Sequence, residues 1–162
     1  MIRPSPKALV PLFIIAAAAV LGGCTNHYIP NTDVEDSDDN RKIISFCEKY
    51  RHAVEKKDVG ALLQLASPQY YEDGGNVDAA DDLDYVGLRE SLTSKFQDAR
   101  AIRYEIRYRR VIKEEDVTYV DYTFSASYRI PGQTGEEWRR KVDDNRLELV
   151  PYQEGFRIVA GM

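Results

Sequence analysis

Cysteine, histidine and tryptophan are scarce in this chain, at two, two and one among 162 residues. Two cysteines exclude a disulfide framework and a cysteine-rich metal centre. His27 lies in an acidic segment, and His52 falls off the apolar stripe of its helix, so a histidine-dependent active site is not expected. Basic charge is also short, with 22 Lys and Arg against 27 Asp and Glu and a net charge of −5, which disfavours non-specific nucleic-acid binding. The longest apolar stretch, residues 8–23, carries no charge and falls short of the ~20 residues a membrane-crossing helix needs. There is no internal repeat, phosphate-cradling glycine loop, nucleophile elbow or paired metal-ligand motif. No cofactor and no metal ion are expected.

What is present begins with Arg3 and Lys7 ahead of the uncharged stretch, the pattern of an export signal. The stretch ends in Leu21-Gly22-Gly23-Cys24. A peptidase groove admits small side chains next to the scissile bond, and a thiolate is the nucleophile that accepts a lipid. These four residues resemble the lipobox of bacterial lipoproteins. The resemblance implies cleavage between Gly23 and Cys24, diacylglycerol on the Cys24 sulfur, and an acyl chain on its new amino group. More than one chain makes such an attachment stable. The membrane is then a partner through the lipid anchor. Thr25 in place of Asp after the cysteine resembles lipoproteins sent to the outer membrane, facing the periplasm.

Loss of residues 1–23 leaves 139 residues, enough for one domain with its own core. Residues 24–40 carry Asp33, Glu35, Asp36, Asp38 and Asp39, no base, and almost nothing apolar after Ile29. This composition predicts an acidic tether, with the domain at 41–162. A helix capped by Asp39 or Asn40 is expected to about Lys57, with Ile43, Cys47, Tyr50 and Val54 on one face. A short helix over residues 61–66 and a third over 83–96 follow, the last with Leu83, Val86, Leu88, Leu92 and Phe96 as its apolar side.

After Ala99 the period changes to two. Ile102, Tyr104, Ile106 and Tyr108 alternate with Arg103, Glu105, Arg107 and Arg109, which predicts a strand with one wet face. The next strand places Val120, Tyr122, Phe124, Ala126, Tyr128 and Ile130 on its inner face. Trp138 and Val142 then share a parity that Leu147 and Leu149 do not, so a bulge is expected near Asp143-Asp144-Asn145. A final strand covers residues 156–160.

Helices followed by hairpin-connected strands predict an α+β domain. The order, with Leu62-Leu63-Gln64-Leu65-Ala66-Ser67-Pro68, Tyr70-Tyr71 and the closing Glu154-Gly155-Phe156-Arg157-Ile158, resembles the nuclear transport factor 2-like superfamily. That resemblance implies N-terminal helices packed in the concave face of a curved antiparallel sheet, a cone that hosts both enzymes and binding proteins.

For chemistry, Tyr50, Tyr104, Tyr108, Tyr122, Tyr128 and Trp138 fall on the expected interior faces and form a candidate pocket. Asp144 is the carboxylate to weigh as a catalytic residue, since it faces inward only if the third strand keeps the parity of Trp138. The acid cluster Asp73, Asp78, Asp81 and Asp82 lacks the ligand order of a calcium loop. Cys47, on the apolar stripe, is expected to pack as a small hydrophobe. The expected function is a non-enzymatic envelope lipoprotein binding a small apolar ligand or a protein partner, with a homodimer through the sheet a further expectation. The alternative is an isomerase-, cyclase- or dehydratase-like enzyme using a cavity carboxylate and a tyrosine.

Overall fold

The computed structural model describes residues 27–73, 82–99, 101–132 and 135–162. The signal segment, Gly23 and Cys24, and Asp78 and Asp81 lie outside the described residues. Among those described, no helix is long and apolar enough to cross a membrane.

Helix α1 (Asp38–Glu55) starts two residues before the predicted start: Ser37 is the cap, its hydroxyl accepting from the Asn40 amide at 3.2 Å. Asp38 and Asp39 occupy the first turn, where the helix dipole favours acids. Ile43, Ile44, Phe46, Cys47, Tyr50 and Ala53 form its buried stripe. Asp58 caps α2 (Val59–Leu65) by accepting from Ala61 N at 2.9 Å, and Leu62 is its buried anchor. Two short strands pair next, β1 (Tyr71–Glu72) with β2 (Leu83–Asp84), so Leu83 belongs to a strand rather than to the helix that follows. Asp84 caps α3 (Tyr85–Asp98) through the Val86 and Gly87 amides. Leu88 and Leu92 turn inward from α3, but Val86 is exposed.

Four antiparallel strands follow in sheet order β3-β4-β5-β6: β3 (Ala101–Lys113), β4 (Thr118–Gly132), β5 (Gly135–Tyr152) and β6 (Gly155–Ala160). The helices pack on one face, where Tyr104, Tyr108, Val120, Tyr122, Leu147, Leu149 and Ile158 join the α1 stripe in a single core. The architecture is the expected α+β one, helices inside a curved antiparallel sheet.

The register departs from expectation at one place. β4 and β5 pair without interruption from Thr118↔Leu149 to Gly132↔Gly135, so Asp143-Asp144-Asn145 is not a bulge. The irregularity in this part of the sheet lies in β3, where Arg109 is the extra residue between Tyr108 and Arg110. With β5 regular, the parity of Leu147 and Leu149 is the inner one, and Trp138 and Val142 face outward. β6 pairs only with residues 148–152 and 160↔148 at the near end of β5, leaving its far half with β4 as its strand neighbour.

The acidic segment also departs from expectation. Residues 28–35 fold back on themselves through a Tyr28↔Glu35 bridge, with Asn31 in the left-handed region at φ 63. Val34 is 3% exposed and belongs to the core. Over residues 27–40 the segment is therefore part of the fold rather than a tether. Its acids are not left to repel one another: Asp33 meets Arg107 and Arg109, and Asp36 meets Arg41.

Candidate functional site

The interior of the cone is built by α1, β3 and β4. The inner parity of β3 and β4 brings Tyr108, Tyr122 and Asn145 onto one rung of the sheet, four residues along β3 from Tyr104. Tyr50 descends from α1 onto them. Its ring meets Tyr104 edge-on at 6.3 Å and 85°, and Phe124 stacks against Tyr104 at 5.5 Å and against Tyr122 at 6.4 Å. The hydroxyls of Tyr50, Tyr104 and Tyr122 are within hydrogen-bonding reach of one another, and Asn145 Nδ2 donates to Tyr122 at 3.1 Å and to the Gly161 carbonyl at 3.2 Å. Tyr108 donates to Glu48 at 2.8 Å. Tyr70 donates to Glu72 and accepts from the Met162 amide at 3.0 Å.

Every one of these phenols is therefore partnered, as buried hydroxyls must be. Burial pushes the ionisation of Tyr50, Tyr70, Tyr104, Tyr108 and Tyr122 upward, so each is a neutral donor and acceptor at physiological pH. Burial likewise pushes the Cys47 thiol up, consistent with a packed rather than a reactive cysteine. Glu48 also accepts from Arg51 Nε at 2.8 Å, which ties it into an ion pair. Among the described residues, the groups with clearly shifted ionisation move away from neutrality, the opposite of a poised acid–base pair.

Of the residues predicted to line a pocket, Tyr50, Tyr104, Tyr108 and Tyr122 come together, and they fill the space they were expected to line. Tyr128 shares their face farther along β4 and is half-buried. Trp138 does not join them. It is 50% exposed on the outer face, paired with Arg129, with the Arg103 and Arg129 guanidinium carbons 5.1 and 5.9 Å from its ring centroid. Asp144 is corrected in the same way: it shares a rung with Thr123 and Arg107 on the outer face, is exposed, and accepts from Thr123 Oγ1 at 2.6 Å. Its catalytic role would require the opposite face.

Sequence reading missed Asn145 and Tyr70. Asn145 is legible once β5 is taken as unbroken, because it then falls opposite Tyr122. Tyr70 gives no periodic signal, since it sits in a loop and is buried by β6 and the last residues. The outer face carries an open depression of about 560 Å³ lined by Arg109, Asp121, Thr123, Asp144 and Arg146 among others. Its arginines are engaged: Arg146 and Arg110 both bind Asp121, at 2.6 and 2.8 Å, and Arg109 donates to Thr123 Oγ1 at 2.9 Å. No group of three or more metal-ligating side chains occurs among the described residues.

No family model and no curated protein matches the sequence. Solved structures do. A protein from Kribbella flavida superposes with a TM-score of 0.63 at 15% identity, over 76% of this chain and 87% of that one. A conserved protein from Planctomyces limnophilus gives 0.63 at 12%, over 76% and 92%. A protein from Streptomyces avermitilis assigned as a dehydratase of the NTF2-like family gives 0.60 at 13%, over 76% and 93%. At such identities the likeness speaks for the fold alone, and that fold is the NTF2-like cone.

Proposed function

We propose that this chain is a bacterial envelope lipoprotein, anchored by lipid on Cys24 and facing the periplasm from the outer membrane, whose cone acts by binding a protein partner rather than by catalysis. The observation that carries the binding reading is the exchange of aromatic positions between the two faces. The interior is filled by Tyr50, Tyr104, Tyr122 and Phe124, while the single tryptophan stands half-exposed on the outer face, with exposed Val142 four residues farther along the same face of β5. A filled interior leaves little room for the small apolar ligand. An exposed tryptophan flanked by arginines has the composition of an interaction hot spot. The enzymatic alternative needs a free carboxylate beside a phenol inside the cone: Asp144 faces the other way, and Glu48, which accepts from Tyr108, is tied up in its ion pair with Arg51.

Two measurements test this. Metabolic acyl labelling should mark the wild-type chain, and Cys24→Ser should lose the label and accumulate as uncleaved precursor; labelling that survives the substitution refutes the anchor. Photo-crosslinking from Ser127, beside Trp138 on the outer face, should trap a partner that Trp138→Ala loses. Sedimentation of the purified chain separates a second copy, bound through the same sheet face, from a different protein. Crosslinks indifferent to Trp138 would move the binding surface elsewhere.

A further inference from the structure

The segment between the proposed lipid anchor and α1 is a folded clasp. Ile29 N donates to Val34 O at 2.9 Å, Thr32 N and Oγ1 donate to Ile29 O at 3.0 and 2.8 Å, and Asp36 N donates to His27 O at 2.7 Å. The turn is then fixed to the edge of β3 by Asp33. Its amide donates to Tyr108 O at 2.9 Å, and its carboxylate takes Arg107 Nη2 at 2.6 Å and Arg109 Nη1 at 2.9 Å. Arg109 is the extra residue of the β3 bulge, so the bulge supplies the second guanidinium. Val34 is buried beneath, and Asn40 Nδ2 holds Glu35 O at 2.9 Å.

Two residues separate Cys24 from His27, and the three residue-to-residue steps span about 10 Å at full extension. Were the clasp undone as far as Ser37, the reach would be about 45 Å. We propose that the clasp sets a short leash: with Cys24 acylated, the domain rides on the phospholipid headgroups with the N-terminus of α1 and the β3–β4 turn nearest the membrane. This rests on the lipoprotein reading above. Lys113 marks that end, since its Nζ lies 3.5 Å from Asp39 near the start of α1. The same end exposes Glu35, Asp38, Glu114, Glu115 and Asp116. Against anionic headgroups those charges repel, so the leash and not headgroup attraction keeps the domain close. Ala101, one strand over from the Arg129–Trp138 pair, is twelve residues from Lys113 on β3, about 40 Å along the strand. The outer-face tryptophan is thereby held away from the lipid, free for a partner.

The test uses the acylated mature chain in vesicles of phosphatidylethanolamine and phosphatidylglycerol containing a nitroxide-headgroup lipid. Lys113→Trp in a Trp138→Phe background reports the near end, and native Trp138 reports the far end. Quenching at position 113 should exceed that at 138 by at least about twofold, given a near reporter about 10 Å from the surface and a far one about 40 Å beyond it along the strand. Asp33→Asn with Arg107→Ser and Arg109→Ser should collapse the difference while the melting temperature shows the domain still folded. The single Asp33→Asn, the milder variant, should reduce it. Equal quenching at the two positions on a chain shown by mass to carry lipid overturns the short leash and leaves the anchor standing. Absence of lipid overturns both.

Discussion

Replacing Tyr122 separates packing from chemistry in the cone. Its ring is 1% exposed and touches Phe124, and its hydroxyl is shared with Tyr50, Tyr104 and Asn145. Tyr122→Ala removes a whole buried ring and leaves a cavity, at ~3–5 kcal/mol for sites of this kind. Tyr122→Phe keeps the ring and removes one oxygen. Asn145 then retains the Gly161 carbonyl, while the other two phenols lose one partner, for about 1–2 kcal/mol. Arg103→Ala on the outer face removes an exposed side chain over Trp138 and should cost less than about 1 kcal/mol. Urea unfolding followed by far-ultraviolet circular dichroism gives all three, and at roughly 3 °C per kcal/mol for a domain of this size the alanine variant should melt about 10–15 °C lower. A larger loss from Arg103→Ala than from Tyr122→Ala would show the sheet to be inside out. A phenylalanine variant as stable as wild type that nonetheless lost its bound partner would make the hydroxyl cluster a recognition site and refute the packing role.

Four further outcomes are expected. Gly161→Ala should destabilise by more than about 2 kcal/mol in the same assay, because φ is +89 and an added Cβ would lie 1.8 Å from the Arg146 carbonyl oxygen. Cys47 should resist thiol reagents in the native state and react only as the domain unfolds; fast labelling would contradict its burial. Trp138 emission should be that of a solvated indole and quench readily with acrylamide, whereas blue-shifted, protected emission would return it to the interior. Asp33 is held down to about 2 by Arg107 and Arg109, below the usual 3.8, so clasp docking is fully present above the usual value and lost as the pH falls through about 2. Amide exchange at residues 33–34 should follow that window, and loss of protection already at pH 5 would place another group in control.

Much of the fold can be read from the chain where one face is dry and the other wet. The alternation over residues 102–108 and the stripe of Ile43, Cys47 and Tyr50 are of this kind, and both hold in the structure. The reading fails over residues 135–146 because both faces of β5 are exposed there, so periodicity carries no information and the one large aromatic, Trp138, misleads. The bulge expected at Asp143-Asp144-Asn145 fails for the same reason, and the unbroken register turns Asn145 inward and Asp144 outward. The clasp was illegible on different grounds: Asp33 finds Arg107 and Arg109 at separations of 74 and 76 residues, and composition over a short window records the acids but not their distant partners.

The same far half of β5 has β4 on one side and no strand of β6 on the other. Eight of its residues between 136 and 146 are charged, with Arg139, Lys141 and Asp143 on one face and Arg140, Asp144 and Arg146 on the other. An open edge of that length is a template for chain-to-chain pairing, and alternating charge is how sheets refuse such pairing. That refusal is colloidal rather than steric, and it weakens as mobile ions shorten the Debye length from ~8 Å at physiological ionic strength toward ~3 Å at 1 M. Were the chain anchored as proposed, a leash of a few residues would hold many copies in one plane, and the ionic strength of the surrounding medium would then set how far apart neighbouring sheets stay.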